Sequence, residues 1–385
     1  MVKQKIDPFL LNLISMLSAG ARQECFVSAS DYQRLRKVIK LRGIPLLNEY
    51  LFIKSFHVKL TKAEMASFSK MSQVKFISHV ASASALMNIS KKILGADNIP
   101  LAGEGQTVAI IDTGVSRHPD FCLGENRITY FKDFISSKTE PYDDNGHGTF
   151  VAGVCAGNGA LSKGYYAGIA PKAKIISLKA LNGQGEASAD KILEAMEWVY
   201  DNHKKFNIKV VCMSFGSEPL GYNDPIMAGA EALWDEGVVV VAAAGNSGPE
   251  FQTIKSPGVS SKIITVGGFN DNRLDEETFN HNFFEVADFS SRGPAFSRFK
   301  PDLIAPSVDI ISCGIKKPYT SLSGTSVATP MIAGICLLMF EKDESLSPNT
   351  LKRILMTNCK PISYNKNLEG LGYPNLQTLF RVNQG

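Results

Sequence analysis

The chain has 385 residues, of which 44% are hydrophobic and 20% are charged, and its formal net charge is +4. This length predicts one large and one small domain, and the composition is that of a soluble globular protein. No stretch has the eighteen or more uninterrupted apolar residues of a membrane span, and no run of Lys and Arg is interleaved with aromatic residues, so neither an integral membrane protein nor a nucleic-acid-binding protein is expected.

The charge is divided unevenly along the chain. Residues 1–85 carry 13 Lys and Arg against 5 Asp and Glu, a net charge of +8, whereas residues 86–385 carry 28 against 32, a net charge of −4. Chance surface composition explains such a division, and so does electrostatic complementarity between two parts of the chain that meet.

The amino-terminal residues and the cysteines bear on the cellular compartment. An apolar stretch begins at Pro8 after Lys3 and Lys5, but Asp7 and Asn12 interrupt it, so an amphipathic helix is favoured over a signal peptide. The seven cysteines are scattered and form no CxxC pair, which disfavours a disulfide framework and a metal knuckle. We therefore expect a cytoplasmic protein, with secretion as the alternative.

Short strands and helices alternate in the first part of the chain. A strand precedes a helix that Ser30 opens, further strands are predicted within residues 46–60, Thr61 and Glu64 form the capping box of a second helix, and a last strand covers residues 74–80. The order βαββαβ predicts a small ferredoxin-like α+β domain over residues 1–85.

Residues 81–90 are small and lack periodicity, so they are the candidate linker to a second domain over residues 86–385. In this second part, apolar strands alternate with helices, which predicts an α/β fold with a parallel sheet covered by helices on both faces. The predicted strands cover residues 107–111, 174–178, 210–213, 238–242 and 263–266, and the predicted helices cover residues 187–203 and 226–236.

Three segments carry residues suited to catalysis. Asp112 directly follows an apolar strand, where parallel sheets bind ligands, although an Asp there also caps helices or binds metals. His147 stands between Gly146 and Gly148 at a helix start, a setting that favours a functional imidazole over a structural one. Ser326 lies at the entrance of an apolar helix, whose dipole favours negative charge, and the reading as a helix-capping serine is equally good.

Together these segments resemble the subtilisin-like protease family. The strings AIIDTG, NGHGT and SGTSVATP match the family's signatures, and the order Asp, His, Ser along the chain is the family's order. The string AAAGNSG matches the segment that carries the family's oxyanion-hole asparagine. The likeness runs from about residue 90 to 360, and within the family the chain most resembles intracellular-type bacterial members. A lipase-like α/β-hydrolase is disfavoured, because there the Ser precedes the acid and the His.

The resemblance implies a serine endopeptidase that acts on proteins or peptides, with Asp112, His147 and Ser326 as the catalytic triad and Asn246 as the oxyanion donor. The substrate-binding residues that it implies are Ser214, Phe215, Gly216, Ala243, Ala244 and Gly245. No cofactor is expected to be required, no metal ligand is predicted, and a structural calcium ion is compatible with the family but not indicated. A catalytically silent relative that acts as a binding scaffold is the alternative.

The resemblance also implies that residues 1–85 are an inhibitor-like prodomain, which assists folding, is cut off by the enzyme itself within or close to residues 81–90, and stays bound as an inhibitor. Phe150 stands where relatives usually carry a polar or smaller residue, and we expect it to pack internally. Lys255 aligns near the floor of the pocket for the residue before the cut, where a cation would disfavour basic residues. A solvated loop lysine is the alternative.

Overall fold

The computed structural model describes residues 5–6, 10, 20–79, 87–97, 99–273 and 280–380. Contacts divide the chain into two compact units, Met1–Ala83 and Ser84–Gly385. The helix expected at the amino terminus falls almost wholly outside the described residues, as do residues 81–86 of the expected linker.

The first unit is a four-stranded antiparallel sheet with two helices. In chain order its elements are β1 (Arg22–Ala29), α1 (Tyr32–Leu41), β2 (Leu46–Tyr50), β3 (Ser55–Thr61), α2 (Lys62–Ser69) and β4 (Val74–His79). The strands lie in the order β2-β3-β1-β4. Alternate residues of β1 and β3 are buried and form a core with one face of each helix. The order βαββαβ is therefore the one that the sequence predicts.

The start of α1 differs from the expectation. Asp31 caps this helix, not Ser30, because the Asp31 carboxylate accepts a backbone N–H of the first turn at 3.1 Å. Asp and Ser are equally good caps, so the sequence did not distinguish the two positions. At α2 the predicted capping box between Thr61 and Glu64 is confirmed.

The second unit contains an eight-stranded sheet. Its strands are β5 (Thr107–Asp112), β6 (Ile128–Asp133), β7 (Lys174–Lys179), β8 (Ile208–Met213), β9 (Val239–Ala243), β10 (Ile264–Asn270), β11 (Glu285–Val286) and β12 (Leu303–Pro306). They lie in the order β11-β10-β9-β8-β5-β7-β6, with β12 also beside β10. All pairs are parallel except β10 with β11.

Helices lie on both faces of this sheet, which makes the unit an α/β fold. They are α3 (Met87–Leu94), α4 (Pro119–Cys122), α5 (His147–Ala156), α6 (Ala189–Asn202), α7 (Pro225–Asp235), α8 (Thr325–Lys342), α9 (Pro348–Thr357), α10 (Lys366–Glu369) and α11 (Leu376–Phe380). Two small antiparallel hairpins complete the unit, β13 (Ile310–Cys313) with β14 (Tyr319–Leu322) and β15 (Cys359–Lys360) with β16 (Tyr373–Pro374). Helix α5 packs on α8, and α6 packs on α7.

The five predicted strands and the two predicted helices of this unit are found within a few residues of their expected bounds. Residues 87–90, which we expected in the linker, instead begin α3, because Ser90, Ile93 and Leu94 are buried on one side of it. Helix α8 is long and apolar enough to cross a membrane, but 83% of it is buried inside the protein. Among the described residues no integral membrane segment is therefore indicated.

Candidate active site

The carboxyl edge of the parallel sheet brings two candidate residues to one place. Asp112 is the buried last residue of β5, and Asn246 follows the end of β9 by three residues. In the sheet only β8 separates β5 from β9, so these strand ends lie two spacings of about 4.8 Å apart. Both residues therefore lie at the edge where parallel sheets bind ligands.

A buried carboxylate holds His147 at the first position of α5. The Asp143 side chain accepts five hydrogen bonds of 2.7–3.0 Å, whose donors are the N–H groups of Asn145, Gly146 and Thr149 and the hydroxyls of Thr113 and Thr149. Gly146 has φ 105°, a conformation that glycine adopts without strain. Gly148 packs so closely on the Gly114 carbonyl that a side chain would not fit. The histidine thus enters α5 on a fixed backbone.

His147 and Asp112 are directly hydrogen-bonded. Nδ1 of His147 lies 2.8 Å from Oδ1 of Asp112, and the imidazole is 25% exposed while the carboxylate is 1% exposed. Burial works to lower the pKa of His147, but the Asp112 carboxylate, its hydrogen bond and the more distant Asp143 carboxylate together raise that pKa above its usual value. Because an ionised carboxylate only accepts, Nδ1 carries the hydrogen in the neutral ring, and Nε2 is left free to take a proton.

The start of α8 orients the amide of Asn246. Its Oδ1 accepts hydrogen bonds from the N–H and the hydroxyl of Thr325 at 2.9 and 3.0 Å, so its Nδ2 faces away from that residue. A Cβ added to Gly324 would lie 3.2 Å from Asn246 Nδ2 and 3.3 Å from Ser326 Oγ. The amide donor and the serine hydroxyl therefore border the same small space, which the glycine keeps open.

The backbone N–H of Ser326 is a candidate second donor. The N–H of Thr325 is bonded to Asn246 and that of Val327 to the carbonyl of Gly324, while no described hydrogen bond uses the N–H of Ser326. This N–H belongs to the first turn of α8, where the helix dipole is positive. An amide donor beside a serine hydroxyl, with a backbone N–H of that serine at a helix start, can stabilise a tetrahedral oxyanion.

Helices α5 and α8 each carry a candidate residue in the first turn. A Cβ added to Gly334 of α8 would lie 3.2 Å from the carbonyl oxygen of Cys155 in α5. Each of these positions lies eight residues, about 12 Å of helix, after the candidate of its own helix. The two helices therefore pack on each other eight residues after His147 and Ser326. No described hydrogen bond joins Ser326 Oγ to His147, and such bonds are often long until substrate binds.

The expected substrate-binding residues lie at the same sheet edge. Those after β8 are Ser214, Phe215 and Gly216, and those at the end of β9 and beyond are Ala243, Ala244 and Gly245. Ser214, Ala243 and Ala244 are buried, whereas Gly216 is exposed.

Lys255 lies between these two segments. A Cβ added to Gly216 would lie 2.6 Å from the Cβ of Lys255, and one added to Gly245 would lie 2.5 Å from its Cγ. The Lys255 side chain is only 18% exposed, and its ammonium group pairs with Glu218. The lysine stem is therefore packed while its ammonium group pairs with an exposed carboxylate, and both glycines are needed because a larger residue would collide with the stem.

Two residues that hold the site together were not among the sequence candidates. They are Asp143, whose five hydrogen bonds are given above, and Lys179. Lys179 is fully buried at the end of β7, and its Nζ donates to the carbonyls of Thr113 and Leu181 at 2.7 and 3.0 Å and to Asp144 at 2.6 Å. It thereby fixes the turn that follows Asp112. A lysine that closes an apolar buried strand needs such partners, which was the available signal.

One group of buried side chains in the described part of the chain has the atoms of a metal site. Ligand atoms of His118, Asp120 and Cys313 lie within 4.8 Å of one another. Each already has protein partners: His118 Nδ1 accepts the Asp120 N–H, and the Tyr319 hydroxyl donates to the Asp120 carboxylate at 2.9 Å. Burial and the Asp120 carboxylate raise the pKa of the Cys313 thiol, and a neutral thiol is a poor ligand. The group is a satisfied hydrogen-bond network.

Comparisons with known proteins agree on one family. The sequence model of the subtilase family, peptidase group S8, matches residues 103–377. Serine protease AprX of Bacillus subtilis is 43% identical over 280 residues, which cover 66% of this chain and 61% of that protein. Thermostable alkaline protease of Halalkalibacterium halodurans is 29% identical over 366 residues, which cover 91% of this chain and 92% of that protein.

Solved structures show the same likeness. The S41 psychrophilic protease matches with a TM-score of 0.64 and 30% identity and covers 77% of this chain and 100% of its own. Sphericase matches with a TM-score of 0.63 and 28% identity and covers 76% of this chain and 100% of its own. The predicted α/β fold of the second unit is confirmed by these neighbours.

Proposed function

Since the chain belongs to the subtilase family, we propose that it is a serine endopeptidase whose catalytic triad is Asp112, His147 and Ser326. The observation that carries this proposal is the 2.8 Å hydrogen bond between His147 Nδ1 and Asp112 Oδ1. This bond fixes the imidazole tautomer that has a free Nε2, which is what a general base for a serine requires.

In the first half of the reaction, Ser326 Oγ attacks the carbonyl carbon of the scissile peptide bond and gives its proton to His147 Nε2. Asp112 stabilises the imidazolium that forms. Negative charge develops on the carbonyl oxygen, to which Asn246 Nδ2 and the Ser326 N–H donate. His147 then passes the proton to the leaving amine, the C–N bond breaks, and the acyl group remains on Ser326 as an ester.

In the second half, water replaces the leaving amine. His147 takes a proton from the water as its oxygen attacks the ester carbon, and the same two donors stabilise the new oxyanion. When the intermediate collapses, the C–O bond to Ser326 breaks and His147 returns the proton to Oγ. The acid product leaves and the starting enzyme is restored. Apart from the substrate and water, every group in these steps belongs to the protein, so we propose that catalysis requires no cofactor.

Substrate recognition is assigned to the segments at the ends of β8 and β9. We propose that Ser214–Gly216 pairs with the substrate backbone as an added strand, because it continues a strand and ends exposed. Ala243, Ala244 and Gly245 would line the pocket for the residue before the cut, which is adjacent to the oxyanion donor Asn246. Backbone pairing of this kind accepts many sequences, so protein and peptide substrates in general are expected.

The test is hydrolysis of a fluorogenic peptide by the wild type and three variants. Ser326→Ala and His147→Ala should each lower kcat by at least about 1000-fold, because nucleophile and base act as a unit. Ser321→Ala is the matched control, since Ser321 is exposed on β14 and takes no part in the steps above. Hydrolysis by Ser326→Ala at close to the wild-type rate would contradict the proposal.

We also propose that residues 1–85 form a prodomain that the enzyme cuts off within or close to residues 81–90 and that then inhibits it. Three observations support this. The first unit is compact and has the order βαββαβ, the alkaline protease match extends over 91% of the chain and so into this unit, and the net charges of +8 and −4 are opposite. Opposite charge mainly speeds association.

Mass spectrometry of purified protein tests the cleavage. The wild type should yield a new amino terminus near residues 81–90, whereas Ser326→Ala should stay intact. The released fragment, added back to the mature enzyme, should inhibit it. Its association rate should fall as the salt concentration rises, because the Debye length is about 10 Å at 0.1 M salt and becomes shorter at higher concentrations. Cleavage that is unchanged in Ser326→Ala, or full activity in the presence of added fragment, would contradict this proposal.

The cysteines suggest in which cellular compartment the protein resides. All seven cysteines are free and five are buried, which fits a reducing compartment, and we propose the cytoplasm. Fractionation of cells with an antibody against the chain tests this, and recovery of the protein outside the cell would contradict it.

A further inference from the structure

A cleft lined by cations opens beside the start of α5. Its cavity volume is about 300 Å³, and its walls are formed by the segments on either side of Arg117 and by the turn between β13 and β14. The turn contributes Ile315, Lys316 and Lys317. A space of this size accommodates one or two side chains rather than a folded domain.

One lining residue of the cleft, Ile315, packs against the residue that precedes the proposed base. A Cβ added to Gly146 would lie 3.2 Å from Cγ1 of Ile315, and Gly146 immediately precedes His147. In the proposed reaction His147 passes a proton to the leaving amine, so the substrate residues after the cut must run past this imidazole. The segments on either side of Lys255, which end at Gly216 and Gly245, are instead assigned to the substrate residues before the cut, because Gly245 directly precedes the oxyanion donor Asn246.

The turn that carries the lysines is held at its base. The Gly314 N–H donates to the Pro318 carbonyl at 3.1 Å, which closes the hairpin, and the same carbonyl lies 2.8 Å from His118 Nε2. The backbone of Lys316 and Lys317 is therefore fixed relative to the start of α4, and only the two side chains need to adjust to a ligand.

The positive charge of the cleft is not compensated. Arg117 pairs with Glu140 at 2.6 Å, but in the described ranges of the chain neither Lys316 nor Lys317 forms an ion pair, and both are exposed. Two free cations thus stand at the cleft although residues 86–385 together carry a net charge of −4. A local field opposite in sign to that of its surroundings selects ligands of negative charge.

We propose that this cleft binds an acidic side chain, Asp or Glu, of the substrate on the leaving-group side of the cut. The inference rests on the proposed function, because it takes the path of the substrate from the role of His147. Lys316 and Lys317 are specificity-determining residues in this account. The two ammonium groups attract the carboxylate through solvent, so the preference is electrostatic and decreases as salt rises.

The size of the preference follows from the exposure of the pair. Exposed ion pairs contribute little individually, and two of them give an acidic over a neutral residue an advantage of about 3- to 10-fold in kcat/KM. The test uses the mature enzyme and pairs of fluorescence-quenched peptides that differ only by Glu or Gln at the first, second or third position after the cut.

The wild type should show this Glu/Gln advantage at one of the three positions. The advantage should fall to about 1 in the double variant Lys316→Gln, Lys317→Gln and should invert in favour of Lys over Gln in Lys316→Glu, Lys317→Glu. Lys174→Gln is the matched control, since this exposed lysine starts β7 at the opposite edge of the sheet from Asp112. It should keep the wild-type advantage.

The outcomes separate this inference from the proposed function. Hydrolysis with a Glu/Gln ratio of 1 at all three positions, or a ratio that persists in both double variants, would overturn the inference alone. A preference for acidic residues only before the cut would also overturn it. If no peptide were hydrolysed by the mature enzyme, the proposed function would fail and the inference with it.

Discussion

Replacing Asp143 by Asn tests whether the network at the start of α5 supports catalysis. The two carboxylate oxygens accept five hydrogen bonds, of which two come from Thr149 and three from Thr113, Asn145 and Gly146. An Asn side chain has nearly the same shape but only one accepting atom. Whichever way it turns, at least one backbone N–H faces an NH₂ group instead of an oxygen.

Hydrogen bonds to a charged group contribute about 1.5–3 kcal/mol each. Loss of one such bond from a buried N–H, together with weakening of the others when the charge is removed, should lower the free energy of unfolding by about 2–4 kcal/mol. The start of α5 should also shift, and a displacement of about 1 Å at His147 costs about 100-fold in kcat. Because the Asp143 carboxylate helps to raise the pKa of His147, the variant should have a lower His147 pKa. The acid limb of its pH profile, over which kcat/KM rises with pH, should therefore have its midpoint at lower pH.

Urea unfolding and the pH profile of peptide hydrolysis measure these effects. Asp201→Asn is the matched control, because Asp201 is exposed on α6 and should leave both quantities unchanged. Wild-type unfolding and a wild-type acid limb in Asp143→Asn would refute the positioning role. A stability loss without any change in the limb would show a structural role alone.

Three further results are expected. In the wild type, kcat/KM should rise with pH through a pKa above the usual 6.5 of histidine, since His147 must be neutral to accept a proton and Asp112 raises its pKa; a midpoint below 6 would contradict this. Lys255 should disfavour Lys and Arg before the cut, and a peptide library that shows a preference for those residues, unchanged in Lys255→Ala, would remove the hypothesis. Although burial works to raise the pKa of Asp302, the neighbouring lysines, Lys300 foremost, hold it below its usual value, so its contribution to stability is complete above about pH 4 and is lost as pH falls further. Asp302→Asn should therefore lower the unfolding free energy by about 3–5 kcal/mol at pH 7 and by less at pH 3.

The sequence predicted those parts of the fold in which local pattern and tertiary environment agree. Strand β5 has a continuous apolar run at residues 108–111 and lies between two other strands of the sheet, so its residues identify it without ambiguity. Strand β6 was missed, because its buried residues at either end enclose partly exposed ones and no simple period results. The cap of α1 was misplaced by one residue because Ser30 and Asp31 are both good caps, and only the contacts of the folded chain distinguish them.

The candidate residues could be named from sequence strings, but their support could not. Asp143 and Lys179 each also need a partner far along the chain, since Asp143 accepts from the Thr113 hydroxyl and Lys179 donates to the Thr113 carbonyl, and nothing in the neighbouring residues specifies that partner. The position of Lys255 against Gly216 and Gly245 likewise depends on two strands that meet only in the folded protein. Local patterns therefore predicted which residues could react, and long-range contacts decide how they are held.

Labelling with a fluorophosphonate, followed by mass spectrometric mapping of the modified residue, tests the triad most directly. This reagent reacts with a serine that is activated by a neighbouring base, and the adduct mimics the tetrahedral intermediate that the oxyanion donors stabilise. We expect one adduct, on Ser326 of the mature protein, which is absent from Ser326→Ala and strongly slowed in His147→Ala. Labelling of another serine, or unchanged labelling in His147→Ala, would contradict the account.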